Sequence, residues 1–271
     1  MDYLARESSP LAAEIWEQID DAVVKAARAV LTGRRILHLF GPLGAGVDSI
    51  QVDDASTREE VAAEGFIVNK GRKLVEIPTL FEDFGILAKD MAASEKAGLP
   101  LDLSKAMIAA QACALKEDKL IFLGNKKLGY EGLITAPGAN KLAKKDWATG
   151  ENAFSDVAAA IETLVEKGVY GAYSLVMSPA LYMQLQRLQP GTGMLEIDRV
   201  GKLVGGRVYK TPVLAKDQAV LMCAQPENMD LVVGQDLAAA YLEQKDLNHS
   251  FRVLESVLLR IKRQQAIVVF G

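Results

Sequence analysis

The residues of this chain whose types could do chemistry are two histidines, a cluster of carboxylates and two glycine-rich loops. Histidines and paired carboxylates can transfer protons, and glycine loops can hold phosphate groups on their backbone amides. His38 and His249 are far apart, and each stands alone in a stretch whose pattern predicts a strand. A single histidine in this setting is more often structural than catalytic, so neither histidine by itself indicates an active site.

The carboxylate cluster comprises Asp53, Asp54, Glu59 and Glu60. It lies in a segment of short extended runs separated by polar residues, which we expect to be exposed. An acid–base pair needs partial desolvation to move its two pKa values apart, and an exposed segment does not supply it. The cluster is therefore predicted to be a solvated charged surface.

An alternative is a hydrolase or transferase that uses His249 with Asp246 and Ser250. These residues lie close together on a predicted strand, where successive side chains point to opposite faces. The three side chains of a catalytic triad must converge, so this placement is poor geometry for one.

Neither glycine-rich loop has the pattern of a phosphate-binding loop. GPLGAG at residues 41–46 follows a short predicted strand at residues 36–40, but its spacing is GxxGxG and no helical pattern follows. A dinucleotide-binding turn has the spacing GxGxxG and opens a helix. PGTG at residues 190–193 follows a helix and has no Lys-Ser or Lys-Thr pair after it. Glycine loops of this sort can also form flexible rims that face copies of themselves, and the loop alone does not decide whether this one does.

The composition excludes several classes of protein. The chain has 271 residues, 50% of them apolar and 24% charged, so it can bury a core. A formal net charge of -4 and the lack of a basic stripe argue against a nucleic-acid partner. We expect no membrane partner and a cytoplasmic protein, because there is no long apolar run and no N-terminal signal. Cys113 and Cys223 have no metal-binding spacing and are predicted to be free core residues.

Two long helices are the clearest elements that could position these residues. Apolar residues recur at helical spacing after Pro10, with Ser9 as the predicted N-cap and Gly33 as the glycine that ends the helix. A second periodic run covers residues 103–123 and stops at Gly124. This run predicts a central spine helix.

Between the two helices, residues 65–77 predict a hairpin that turns at Lys70 and Gly71. A hairpin without a core of its own is marginally stable, so we expect this arm to lie on a partner. Helical spacing returns at residues 84–91.

The second half of the chain predicts a compact α/β lobe followed by strands. Ser155 is the predicted N-cap of one helix, a strand follows at residues 173–177, and Ser178 with Pro179 begins the next helix. Further strands are predicted at residues 207–209, 219–223, 230–233, 237–242, 251–259 and 266–270. The fold class is therefore α+β, and the unsupported arm favours a subunit of an assembly.

Taken together, these segments resemble the encapsulin shell proteins, nanocompartment subunits that share the fold of tailed-phage major capsid proteins. The resemblance spans nearly the whole chain and depends on the order and spacing of several motifs. These are Leu4, Pro10, Trp16, Ile19 and Gly33 with GPLG at residues 41–44, then FLG at 122–124 and GYEGL at 129–133, and finally DLVVGQDL at 230–237, Tyr241, Phe251 and Glu255.

The resemblance implies a peripheral domain, an axial domain and an extended loop. The peripheral domain would comprise residues 1–46, 78–134 and 226–271, the extended loop residues 47–77, and the axial domain residues 135–225. A loop at the tip of the axial domain would line a pore on the five-fold axis. Its residues would be Gln189, Pro190, Gly191, Thr192, Gly193, Met194 and Leu195.

The resemblance also implies that the shell encloses a cargo enzyme by binding its C-terminal peptide in an inner groove. The groove would be lined by Ala27, Val30, Leu31, Leu39, Leu231, Val233, Asp236 and Leu237. No flavin is expected, because Phe84, Gly85 and Ile86 lack the tryptophan on which some members stack this cofactor. The implied assembly is a non-enzymatic homo-oligomer of about sixty copies, and larger shells stay possible. The alternative is a major capsid protein of a phage or prophage.

Overall fold

A computed structural model of the chain describes residues 3–53, 59–97 and 100–271. The helices are α1 (Ala13–Val30), α2 (Ala88–Ala97), α3 (Ser104–Leu123), α4 (Asn152–Glu166), α5 (Pro179–Gln184) and α6 (Glu196–Leu203). The first strands are β1 (Leu39–Phe40), β2 (Ser49–Asp53), β3 (Glu59–Ala63), β4 (Phe66–Lys70), β5 (Arg72–Glu76), β6 (Thr79–Ile86) and β7 (Asn140–Leu142). The later strands are β8 (Tyr173–Met177), β9 (Val208–Lys210), β10 (Ala219–Cys223), β11 (Met229–Val233), β12 (Ala238–Lys245), β13 (Asn248–Ile261) and β14 (Ile267–Phe270).

The first sheet is organised around β13. Its strand order is β1-β11-β13-β12. Strand β11 pairs with residues 257–261 of β13, and β6 pairs with residues 249–256 of the same strand. Helices α1 and α3 cover this sheet because each has a stripe of buried small and apolar residues at helical spacing. The core between them contains a cluster of aromatic rings, in which Phe251 stacks on Phe84 and meets Trp16 edge-on. The predicted spine helix and its end at Gly124 are confirmed.

The second sheet has the order β7-β14-β10-β8-β9 and forms a second lobe, whose core is continuous with one face of β11 and β13. Helix α4 packs on it, and Ser178 begins α5 as predicted, because its hydroxyl accepts the amide of Leu181. The last strand, β14, pairs with β10 and with β7. The C-terminal end of the chain therefore contributes to this lobe, and the predicted boundary at residue 226 does not separate the two sheets.

The arm is a two-stranded ribbon, but its turn is not at the predicted position. β4 pairs with β3, and β5 pairs with β2 rather than with β4. The turn lies at Glu64 and Gly65, which have φ of 52° and 81°. Both central residues of a type I′ hairpin turn need positive φ. The predicted turn at Lys70 and Gly71 is wrong, because these residues join two successive strands on the same side of the ribbon.

Several helix boundaries also differ from prediction. Helix α1 begins at Ala13, and the Ser9 hydroxyl instead accepts a hydrogen bond of 3.0 Å from the Trp16 indole. Helix α4 begins three residues before Ser155. The first residues of the predicted 84–91 helix belong to β6, because the free edge of β13 takes them as a strand. Helix α6 was not predicted.

A buried aspartate on α3 fixes the end of α1 and the edge of the second lobe. The Asp118 carboxylate accepts the backbone amides of Thr32 (3.0 Å) and Gly33 (2.9 Å) and the hydroxyl of Thr211 (3.2 Å). Burial raises the pKa of Asp118, while these hydrogen bonds oppose the shift. Gly33 does not end α1 as predicted; it lies where a Cβ would collide with Ile121 on α3.

We expect Asp118→Ala to lower the free energy of unfolding by about 2–4 kcal/mol, because it leaves two buried amides unpaired and opens a cavity. Asp102→Ala is the matched control. It removes an exposed carboxylate that also accepts a backbone amide, from Ser104, and should cost far less because water can replace this hydrogen bond. Denaturant unfolding monitored by tryptophan fluorescence measures both. Equal losses in the two variants would contradict the role given to Asp118.

Candidate functional site

A groove of about 490 Å³ lies between the C-terminal half of α1 and the first sheet, where β1 and the residues before β12 form its second wall. Its apolar walls come from α1 and the residue after it on one side, and from β1 and the segment before β12 on the other. The rim carries arginines and one aspartate. The lining residues are Val24, Ala27, Arg28, Leu31, Arg34, Arg35, Leu39, Asp236 and Leu237.

The structure brings together five of the eight residues predicted to line the groove, namely Ala27, Leu31, Leu39, Asp236 and Leu237. Val30 does not line it; it is half-buried and packs against the core between α1 and the first sheet.

Leu231 and Val233 require a correction, because both are buried in the core. They lie on β11, which is covered on both faces. Leu231 and Val233 pack into the main core, while Val232 between them faces the base of the arm. A continuous apolar run is typical of such a doubly covered strand, and it gives no indication of which residue reaches a surface. The sequence therefore could not separate groove residues from core residues here.

Arg34 forms the polar end of the groove. Its guanidinium contacts Glu117 (2.8 Å), Asp236 (2.6 Å) and Glu255 (2.7 Å). Glu117 and Glu255 are fully buried, on α3 and β13, whereas the Asp236 side chain is exposed at the rim. One arginine thus ties the segment after α1 to α3 and to the first sheet at the groove.

The two buried glutamates compete for this single arginine. Burial and the neighbouring Glu255 carboxylate raise the pKa of Glu117 well above its usual value, against the attraction of Arg34. Burial also raises the pKa of Glu255, although its hydrogen bond with Glu117 opposes the shift. Burial and mutual repulsion therefore shift this coupled pair toward sharing one proton, with the larger upward pKa shift at Glu117.

The axial loop joins α5 to α6 and is closed by short backbone hydrogen bonds, including one of 2.8 Å from the Gln189 amide to Met194. Its tip, formed by Pro190, Gly191, Thr192 and Gly193, is exposed, and Met194 and Leu195 are half-buried. Gly191 and Gly193 have positive φ (78° and 67°), which glycine adopts without strain.

Gln189 is buried at the base of this loop and does not reach the tip. With its amide nitrogen turned toward Glu196, it donates to the Glu196 carboxylate at 2.5 Å and to the carbonyl of Gly150 at 3.3 Å. Glu196 is fully buried and begins α6. Gln189 therefore fixes the loop to the lobe rather than forming part of its rim.

The residues considered for catalysis are not brought together. His249 is buried, and its Nδ1 lies 3.2 Å from the Tyr241 hydroxyl, among the aromatic rings of the core. Burial lowers the pKa of this histidine. Asp246 lies in an exposed turn after β12. Within the described ranges, no group of three or more His, Cys, Asp or Glu side chains could hold a metal ion, and no helix could span a membrane.

The arm exposes apolar side chains that nothing in the described part of the chain covers. Phe66 and Ile67 are 71% and 72% exposed, and Leu74 is 73% exposed. The base of the arm is different, because Ile50, Val52 and Val75 pack against the first sheet. Two residues of the predicted acidic cluster, Glu59 and Glu60, are exposed on β3. Asp54 lies outside the described residues, and for Asp53 only its position in β2 is described.

Two solved structures share this arrangement. The crystal structure of a virus-like particle from Pyrococcus furiosus has a TM-score of 0.77 and 19% identity, covering 96% of this chain and 100% of that chain. The capsid of Myoviridae phage XM1 has a TM-score of 0.63 and 14% identity, covering 89% and 91%. The chain therefore has the fold of capsid and virus-like-particle shell subunits.

The sequence comparisons define the family within this fold. A family model described as "Encapsulating protein for peroxidase" matches residues 1–258. The type 1 encapsulin shell protein EncA of Myxococcus xanthus (strain DK1622) is 40% identical over 273 residues, covering 98% of this chain and 95% of that protein. The chain belongs to the encapsulin family of nanocompartment shell proteins, and this membership is supported over the phage-capsid alternative.

The shared proton predicts a pH effect. Because the pKa of Glu117 is raised in the folded state, folding is coupled to proton binding at pH values above the usual glutamate pKa. The resulting stabilisation is complete below the usual glutamate pKa and is lost as pH rises through the folded value. In Glu117→Gln, the amide donates to Glu255 at every pH.

We therefore expect the unfolding temperature of Glu117→Gln, relative to the unmodified protein, to increase between pH 4.5 and pH 8. Calorimetry of assembled shells measures it. Glu95→Gln, at an exposed position on α2, is the control and should show no such trend. If the difference in unfolding temperature between Glu117→Gln and the unmodified protein did not change with pH, the shared proton would be excluded.

Proposed function

We propose that about sixty copies of this chain assemble into a closed icosahedral shell in the cytoplasm. The shell captures an enzyme by that enzyme's C-terminal peptide and admits small solutes through pores at the five-fold axes. The shell subunit itself is not an enzyme and carries no flavin. The single observation that supports this function best is the exposed apolar ribbon of the arm, on a chain of this family.

The arm supports assembly because some of its side chains anchor it to the subunit while others are exposed. Its base is held on the first sheet, while Phe66, Ile67 and Leu74 face solvent in the isolated subunit. A two-stranded ribbon is marginally stable by itself, and contiguous exposed apolar side chains mark an interaction surface. A neighbouring subunit would bury them, and the same contact repeated on every copy would close a shell.

The groove supports capture of a short peptide. Leu31, Leu39 and Leu237 offer aliphatic contacts around an open volume of about 490 Å³, which is enough for a few side chains. The description of the matched family names a peroxidase as the encapsulated protein, which supports an enzyme as the cargo. Many identical grooves in one shell would add avidity to a weak single contact.

The axial loop supports a pore rim. Pro190, Gly191, Thr192 and Gly193 form an exposed tip without bulky or charged side chains, so copies around an axis could approach without closing it. Neither tryptophan supports flavin stacking. Trp16 is 8% exposed and Trp147 is fully buried, with its indole hydrogen-bonded to Asp156 at 2.9 Å.

Replacing Phe66, Ile67 and Val68 together by serine should shift the protein from shells to smaller species, because the arm loses its apolar contact. Size-exclusion chromatography measures the shift, and circular dichroism checks that the subunit is folded. Leu247→Ser is the control; this leucine is 74% exposed but isolated in a turn, so shells should persist. Normal shells from the triple variant would refute the role of the arm.

Leu39→Asp with Leu237→Asp should reduce cargo capture at least about tenfold, since each places a charge on the apolar wall. The probe is a fluorescent protein with a library of random eight-residue C-terminal tags, co-produced with the shell. Fluorescence per purified shell gives the capture, and mass spectrometry identifies the tags. Leu128→Asp, at an exposed position outside the groove, should capture normally. Unreduced capture by the groove variant would place the peptide site elsewhere.

A further inference from the structure

Two arginines on the rim of the groove have no acidic partner among the described residues. Arg28 is exposed in the last turn of α1, and Arg35 is exposed just beyond the helix. The Arg35 guanidinium donates to the carbonyl of Arg28 at 3.0 Å, so it folds back over the end of the helix. Both side chains line the same groove.

The third arginine of the rim does not share this excess of charge. Three carboxylates, those of Glu117, Glu255 and Asp236, contact Arg34 at 2.6–2.8 Å, so Arg34 contributes no excess positive charge. Asp236 is the acidic residue of the groove lining, and it already accepts from Arg34 and from the Leu237 amide. The positive charge at the rim that no described carboxylate offsets is therefore that of Arg28 and Arg35.

Stabilisation of the helix end accounts for only part of this arrangement. A basic side chain near a helix C-terminus can bind its last carbonyls and interact well with the helix dipole. Arg35 uses one donor in this way, out of the five that a guanidinium carries. The remaining donors of both arginines form planar forks that match a carboxylate.

Resting on the proposed function, we propose that Arg28 and Arg35 bind the C-terminal carboxylate of the cargo peptide. A tag at the end of a cargo chain always carries this group, whatever its side chains are. The apolar side chains of the tag would lie against Leu31, Leu39 and Leu237. The peptide would therefore dock in one direction, with its last residue near the C-terminal end of α1.

The test moves the carboxylate without changing the tag. One fluorescent protein ends in a tag selected from the random library, and a second carries the same tag followed by Gly-Ser-Gly, which displaces the carboxylate by about 10 Å. Capture by shells of the unmodified protein should fall about tenfold with the extension. Arg28→Gln with Arg35→Gln should capture both proteins equally, at the lower level.

Lys25→Gln is the matched control, because Lys25 is on the same helix but lines the neighbouring cavity. It should keep the preference for the unextended tag. Equal capture of both proteins by the unmodified shell would overturn the carboxylate proposal and leave the groove intact. A preference that persists in the double arginine variant would overturn it as well. Failure to capture any tag would refute the proposed function itself.

Discussion

The structure depends on a surface that one chain cannot bury by itself. The arm projects as a two-stranded ribbon that carries Phe66 and Ile67 near its tip and Leu74 closer to its base, all in solvent, although other residues of the base pack into the subunit. Exposed apolar strands with free edges are poorly tolerated in isolated proteins. A closed shell would remove the difficulty, because every copy would supply a covering surface to its neighbour. Assembly is thus a requirement of this fold as much as its use.

Two buried polar junctions give the assembly subunit a fixed internal geometry. Asp118 on α3 binds the segment after α1 and the second lobe. Arg34, in that same segment, binds buried glutamates on α3 and β13. Buried ion pairs contribute little net stability compared with apolar packing. Their value here is positional, since they hold the groove and the lobe that carries the axial loop on one framework.

The sequence predicted the elements with strong local patterns. The spine helix ends at Gly124 as expected, β8 and β10 have the predicted bounds, and Ser178 caps its helix. Failures occurred where a partner strand decides the outcome. The arm turns at Glu64 and Gly65 because register with β2 and β3 outweighs the local turn preference of Lys70 and Gly71.

The site was predictable only in part, for a similar reason. The resemblance supplied both walls of the groove, but the apolar run on β11 concealed that Leu231 and Val233 face the core. Arg28 and Arg35 were missed because isolated arginines have no local pattern. The structure is needed to show that the nearby carboxylates contact Arg34, which leaves Arg28 and Arg35 with hydrogen-bond donors available for a ligand. Gln189 was placed on the pore rim, yet its side chain is turned inward to Glu196.

The most direct test is the mass of the particle formed by this chain alone. Mass photometry of the purified recombinant protein at nanomolar concentration measures it without any cargo present. Sixty copies of a 29.3 kDa chain predict a narrow peak near about 1.8 MDa, and a larger closed shell would give a discrete higher mass. A compact, folded and persistent monomer would contradict the dependence of this fold on its neighbours.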